Sequence, residues 1–258
     1  MNAQKSAPAM AHKVLFDDGT RRWTVFGRDP AKPTAVIDTN QYLVQHAGRA
    51  LLLDPGGTEI FPSYLASLTE VMDIGTLDVL FASHQDPDII SSLPYWQALR
   101  PGIEVYASWL WTGFIAHFGG KPPSGVPDEG GTLPLGGSRD LRMIPAHYCH
   151  SSGNFSVYDP VARILFSGDI GAALLPADAP LFVADFARHI QHMEGFHRRW
   201  MPSNAAKDAW IARVRNLPID MVCPQHGAIF RGADVGRFFD WLSGLEVGSA
   251  QGSAAQAH

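Results

Sequence analysis

Phe81-Ala82-Ser83-His84-Gln85-Asp86-Pro87-Asp88-Ile89 is the stretch whose reading decides this chain. Ahead of it, Leu77 to Ala82 is apolar apart from Asp78 and reads as a buried strand. The apolar run stops at Ser83, and His84, Asp86 and Asp88 follow at two-residue spacing. A strand that ends in a tight loop turns such side chains into one pocket. The imidazole offers a nitrogen donor and the carboxylates offer hard oxygens, so the stretch reads as half of a metal site. The plainer alternative is a polar turn in which Asp88 caps a helix that starts at Ile89.

Three other places repeat the pattern of an apolar strand that ends in a ligand-type residue beside Gly, Ser or Pro. They are His147 to His150 after Leu141–Pro145, Asp169 in Phe166-Ser167-Gly168-Asp169, and His226 in Val222-Cys223-Pro224-Gln225-His226-Gly227. A lone histidine is commonly a hydrogen-bonded core residue and a lone aspartate a turn residue. Four strand ends together point to one shared pocket. Around them, strands and helices alternate. Hairpins are expected over Val14–Phe26 and over Phe155–Phe166. Helices are expected over Ser63–Val71, Ile89–Leu99 with Pro94 in its first turn or at a kink, Trp109–Phe118, Phe182–Arg199, Ala205–Asn216 and Val235–Leu245. Gly119 to Gly137 reads as a long loop forming a lid or pocket wall. The order predicts an α+β fold, a four-layer αβ/βα sandwich with two sheets face to face and helices outside. Residues 1–13 are expected to be a flexible N-terminal tail, 14–246 one domain, and 247–258 a disordered C-terminal tail.

The residues His84-x-Asp86-x-Asp88, His150, Asp169 and His226 follow the order and spacing of the metallo-β-lactamase superfamily, which they resemble. Asp54, in Asp54-Pro55-Gly56-Gly57, resembles that superfamily's aspartate that braces the metal loop. An acid at position 86 is similar to the flavodiiron branch, as are His150-Ser-Ser-Gly-Asn-Phe-Ser-Val-Tyr158, Leu165–Asp169 and Pro224–Gly227. Stand-alone oxygen-binding di-iron proteins are the nearest likeness. The resemblance spans roughly residues 35 to 240 and implies the metallo-β-lactamase fold. It implies one iron held by His84, Asp86 and His150, a second held by Asp88 and His226, and Asp169 bridging them. A histidine that the flavodiiron pattern carries after the second acid is Ile89 here, which leaves the second iron more open.

The implied function is a non-haem di-iron protein that binds O2 or NO as a sensor or scavenger. A second reading is an oxidoreductase that reduces O2 or NO with an external electron donor. A third is a metal-dependent hydrolase of a phosphoester or thioester using a metal-activated water. Three carboxylates and three imidazoles form a hard oxygen/nitrogen set that suits Fe or Mn, although Zn can occupy it. Three carboxylates against two divalent ions leave a charge of about +1, which a bridging hydroxide would neutralise.

Further residues near the ligands carry weaker readings. His147 is a rival to His150, and an extended segment would let only one of them reach the metals. Tyr148 shares the face of His150 if the strand is regular, and could then hydrogen-bond a bound ligand. His189, His192 and His197 share one broad helix face that could wall the pocket. Trp109, Trp111, Phe114 and Phe118 read as core.

A net charge of −5 without a basic stripe argues against nucleic acid as a partner. No apolar run reaches the roughly 18 residues of a membrane span. The N-terminal residues lack the apolar core of a signal peptide, and two cysteines make no disulfide framework, so a cytoplasmic location is expected. Since no Gly-x-Gly-x-x-Gly fingerprint or flavodoxin-like phosphate loop is found, no flavin is expected in this chain. Partners then reduce to O2 or NO, an external electron donor or signalling partner, and a second copy in a homodimer.

Overall fold

The computed structural model describes residues 9–27, 37–135, 140–176 and 178–249. Residues 1–8 and 250–258, most of the two expected tails, lie outside the described residues. An antiparallel meander opens the chain: β1 (Ala11–Asp17), β2 (Arg21–Gly27), β3 (Asn40–His46) and β4 (Arg49–Leu53). Helix α1 (Phe61–Val71) crosses to β5 (Leu77–Phe81), which lies parallel to β4. Short helices α2 (Pro87–Ile90) and α3 (Leu93–Leu99) lead to β6 (Glu104–Ser108), and α4 (Thr112–Ile115) leads to β7 (Ser124–Val126). These seven strands form one sheet in sequence order. The second sheet holds β8 (Gly131–Leu133), β9 (Leu141–Pro145), β10 (Phe155–Asp159), β11 (Ile164–Gly168), β12 (Met221–Pro224) and β13 (Phe230–Arg231), also in order. Helices α5 (Phe186–Trp200) and α6 (Asn204–Val214) connect β11 to β12, and α7 (Ala233–Gly244) follows β13.

Central strands read as nearly continuous apolar runs because both of their faces are covered. In β4, Leu51 and Leu53 face the core between the sheets, while Ala50 and Leu52 face the outer core with Tyr64 and Leu68 of α1. In β5, Val79 and Phe81 point inward and Leu80 outward. In β11, Ile164 and Phe166 point inward, and Leu165 meets the layer formed with Trp210 and Phe238 of α6 and α7. Period-two alternation thus feeds three apolar layers and yields the expected αβ/βα sandwich.

Strand direction places the ligand-type residues. β11 and β12 are parallel, and β9 and β11 each pair antiparallel with β10, so β9, β11 and β12 end at the same edge. β4 and β5 end there too, since Ser83 O, two residues past β5, accepts from Phe155 N at the start of β10 (3.0 Å).

Several boundaries differ from those expected. β1 begins at Ala11, and Met10 is buried with its N–H on Ser67 Oγ (2.6 Å), so residues 10–13 belong to the fold, Met10 by burial and 11–13 by pairing with β2, rather than to a tail. The helix behind the metal loop is two pieces, with Pro94 in the first turn of α3. Asp88 is not a cap: Asp86 holds the flanking position, Pro87 opens α2, and Asp88 sits in its first turn. Trp109–Phe118 is α4 between single 3-10 turns rather than one helix, and forms the crossover to the edge strand β7. Trp109, Phe114 and Phe118 are exposed there, and only Trp111 of that group packs against the core. The expected loop of 119–137 contains β7 and β8, which carry the chain from one sheet to the other; strands of three residues are too short to show a period.

Candidate metal centre

Six side chains from four strand ends meet at the common edge. His84 Nε2 lies 3.5 Å from Asp86 Oδ2 and 3.6 Å from Asp169 Oδ2. His150 Nε2 lies 3.2 Å from Asp86 Oδ2 and 3.5 Å from Asp169 Oδ2. On the other side, His226 Nε2 lies 3.3 Å from Asp88 Oδ2 and 3.5 Å from Asp169 Oδ1. Asp169 is thus the hinge of the arrangement: one of its oxygens faces His84 and His150, the other His226. The donor atoms of His84, Asp86, His150 and Asp169 all lie within 4.8 Å of one another, close enough to hold one ion.

Surrounding contacts aim these groups. Asp54, buried with φ 50°, accepts from Ser83 N and from Ser83 Oγ, both at 2.7 Å. With its proton on Asp54, the Ser83 hydroxyl accepts from His84 Nδ1 (2.9 Å), which leaves His84 Nε2 for the pocket. His226 Nδ1 donates to Asp38 O (2.7 Å) and frees its Nε2 in the same way. His150 adopts φ 135°, a strained conformation for a side chain of its size, as found where surrounding structure over-determines a functional residue.

The charges are coupled. Burial disfavours a charged His84, but Asp169, Asp86 and Asp54 outweigh it and push its pKa up to about 9. His226 also reaches about 9, because Asp169 and Asp88 overcome its burial. Burial raises the carboxyls of Asp86 and Asp88, yet His84 and His226 hold them below the ordinary value. Burial carries Asp54 up to about 7 against the pull of His84 and Ser83. Burial, the largest influence on His150, lowers it. At neutral pH His84 and His226 therefore carry protons that a metal would displace. Of these six side chains, three buried atoms have no hydrogen-bond partner among the described residues: His84 Nε2 and Asp169 Oδ1, which face the pocket, and His150 Nδ1. Such orphans in a hard oxygen/nitrogen set are what a divalent ion would satisfy, so the residues fit a pair of irons.

The secondary candidates separate. Asp54 stands behind the loop of His84, on Ser83. His147 does not join the cluster, because its Nε2 contacts Asp128 O (2.8 Å) and its ring packs edge-on to Phe155. Tyr148 is neither beside His150 nor in the core. The segment after β9 is a turn rather than a strand, with Tyr148 at φ 60°, 54% exposed. His189 and His197 are buried on α5 while His192 is exposed, and none meets the ligands; His197 Nε2 accepts from Gly171 N (2.9 Å). The helix does wall the pocket, through residues that sequence reasoning missed. Trp200 lies 5.0 Å and Phe196 5.9 Å, ring to ring, from His150. Apolar residues near a helix end gave no local sign of that contact. Cys149 and Cys223 are unpaired and buried, and burial raises both thiols, Cys149 to about 12.

Comparison with known proteins agrees with this geometry. Solved structures of the chemotaxis sensor ODP resemble the chain over 94% of its length and 98% of theirs. The apo state, from T. denticola, superposes with a TM-score of 0.83 at 36% identity. The form described as a peroxy diiron species gives 0.82 at 37%. Diflavin flavoprotein A 1 of Synechocystis sp. is 29% identical over 195 residues, 74% of this chain and 34% of that protein. The anaerobic nitric oxide reductase flavorubredoxin of Aeromonas salmonicida is 25% identical over 223 residues, 83% of this chain and 42% of that protein. The chain thus spans between a third and a half of the curated relatives it matches. The family described as ODP family beta lactamase matches residues 37–227, a span that takes in all six converging side chains, and the chain belongs to that family.

Proposed function

We propose that this chain holds two iron ions in a carboxylate-bridged site and binds O2 or NO there. The observation that carries the reading is Asp169, whose two oxygens face two separate groups of donors. His84, Asp86, His150 and Asp169 Oδ2 would hold one ion, and Asp88, His226 and Asp169 Oδ1 the other. A bound ferrous pair supplies electrons and two adjacent Lewis-acid positions for a diatomic ligand. The protein's own contribution is orientation and shielding. Ser83 and the Asp38 carbonyl fix two imidazoles, while Phe196 and Trp200 keep water from His150. The second position has one side chain fewer, with Ile89 buried in the outer core, which leaves more room for a gas.

A role as sensor or scavenger follows from the likeness to an oxygen-ligated chemotaxis sensor, and a role as reductase from the likeness to a nitric oxide reductase. In the second case electrons come from an external donor of the rubredoxin type. Two unpaired buried cysteines support a cytoplasmic location, and the assembly could be a homodimer. Among the described residues no helix is long and apolar enough to cross a membrane. The test is an elemental count on protein purified without chelators, followed by O2 addition to the anaerobic ferrous form. About two irons per chain and a new visible absorption band are expected. A preparation that takes up no iron, or one that stays colourless and turns over a generic phosphodiester, overturns the reading in favour of a hydrolase.

A further inference from the structure

Two glutamines stand beside the candidate ligands, each with its amide on a different carboxylate. Gln85 Nε2 donates to Asp86 Oδ1 (3.2 Å). Gln225 Nε2 donates to Asp88 Oδ2 (3.1 Å). Both carboxylates need such help. Asp86 and Asp88 keep side-chain exposures of 30% and 28%, against 3% for Asp169, so packing alone does not fix their rotation.

Each glutamine is itself held. Gln85 Oε1 accepts from the Ser151 hydroxyl (2.7 Å), one residue past His150, so this amide joins the loop of Asp86 to the loop of His150. Asn154 steadies the same loop by donating to Cys149 O (3.0 Å). Gln225 is anchored through its backbone. Its N–H donates to Gly168 O (2.8 Å), beside Asp169, and its carbonyl accepts from Asn40 N (2.6 Å). Its side chain is fully buried and Oε1 has no partner among the described residues, so within them the amide's one hydrogen bond is that to Asp88. A glutamine in that setting cannot turn over without placing an oxygen against a carboxylate.

We propose that Gln85 and Gln225 are a matched pair of positioning residues, each orienting the carboxylate of one metal position, Asp86 for the first and Asp88 for the second. The proposal rests on the two-metal reading above. It assigns separate control of the two positions to two residues that touch no metal. The second position depends more on its glutamine, because it has fewer side-chain donors to share the loss.

The experiment is anaerobic calorimetric titration of the metal-free protein with ferrous iron alone, comparing wild type, Gln85→Met and Gln225→Met. Methionine keeps the length and volume of glutamine and removes the donor. Wild type should bind two ions. If it binds fewer, the two-metal reading fails before the glutamines are tested. Given two, each variant should bind one ion as wild type does and the other about 10- to 100-fold more weakly, the cost usual for a lost partner of a ligand. Double variants assign the position: Gln225→Met should couple to Asp88→Asn and add independently to Asp86→Asn, and Gln85→Met the reverse. Wild-type affinity at both positions, or equal loss at both in either glutamine variant, overturns the proposal. So does a variant whose metal-free melting temperature falls while its affinities hold, since that marks a purely structural role.

Discussion

At one edge of the sandwich Arg21 of β2 meets Asp159 of β10 at 2.8 Å, shut off from solvent. At the other edge three carboxylates and three imidazoles converge around Asp169. Strand β10 runs between them, from Phe155 beside the metal loop to Asp159. Both edges bear the desolvation cost of buried charge. They differ in what completes them. Asp159 Oδ1 accepts from Arg21 and from Val161 N (2.8 Å), and its Oδ2 accepts from the Trp23 indole (2.7 Å). The ligand edge gathers six ligand-type side chains whose facing atoms lie 3.2–3.6 Å apart. Burial and charge are common to both, and bare buried atoms occur elsewhere too, as at Tyr64 Oη, so none of these identifies function. The convergence of oxygen and nitrogen donors on shared positions does, because such a set is what a metal ion takes.

The largest effect that would break this contrast is at Asp169. Asp169→Ala should take metal content from about two ions per chain toward none, and the metal-free protein should melt somewhat lower at neutral pH, since the carboxylate that faces His84, His150 and His226 has been removed. Elemental analysis and calorimetry measure both. Asp159→Ala should instead leave ferrous affinity unchanged in the folded fraction. Removing the buried carboxylate shared by Arg21 and the Trp23 indole should cost about 3–5 kcal/mol in urea unfolding.

A pH series sharpens the comparison. His197 is neutral in the fold, its pKa lowered by burial from 6.5 to about 4. Between those values the unfolded chain binds more protons, so stability falls as pH drops through this window and levels off below it. The loss is about 3 kcal/mol at most for this group. Urea unfolding of metal-free protein at neutral and acid pH should show a smaller decline for His197→Gln than for wild type. The smallest effects belong to residues that sequence alone placed near the metals. His147→Ala and Tyr148→Phe should both leave metal stoichiometry intact, and Tyr148→Phe, at an exposed position, should shift stability by less than about 1 kcal/mol.

The six converging side chains were legible in the sequence for a physical reason. A strand buried on both faces is an apolar run, and it makes any histidine or aspartate at its end conspicuous, as at His84, Asp169 and His226. Asp54 was legible in the same way. What stayed hidden depends on distance in the chain or on irregular backbone. Trp200 reaches His150 across fifty residues and a helix. Gln225 reaches Asp88 across 137 positions. Tyr148 was read on a strand's period, but the backbone turns there with positive φ, so alternation no longer applied. The aromatic run from Trp109 to Phe118 was read as core from its composition, although a crossover to an edge strand has solvent on one side.

Trp200 has a practical consequence. Its indole is 54% exposed and packed on the imidazole of His150, one of seven tryptophans in the chain. Exposure shifts its emission to the red of the buried indoles Trp23, Trp96 and Trp210. Trp109, 52% exposed, shares that red shoulder but does not pack on His150, so a paramagnetic ion on His150 should quench the Trp200 part first and leave a fluorescent gauge of loading, readable without any added dye.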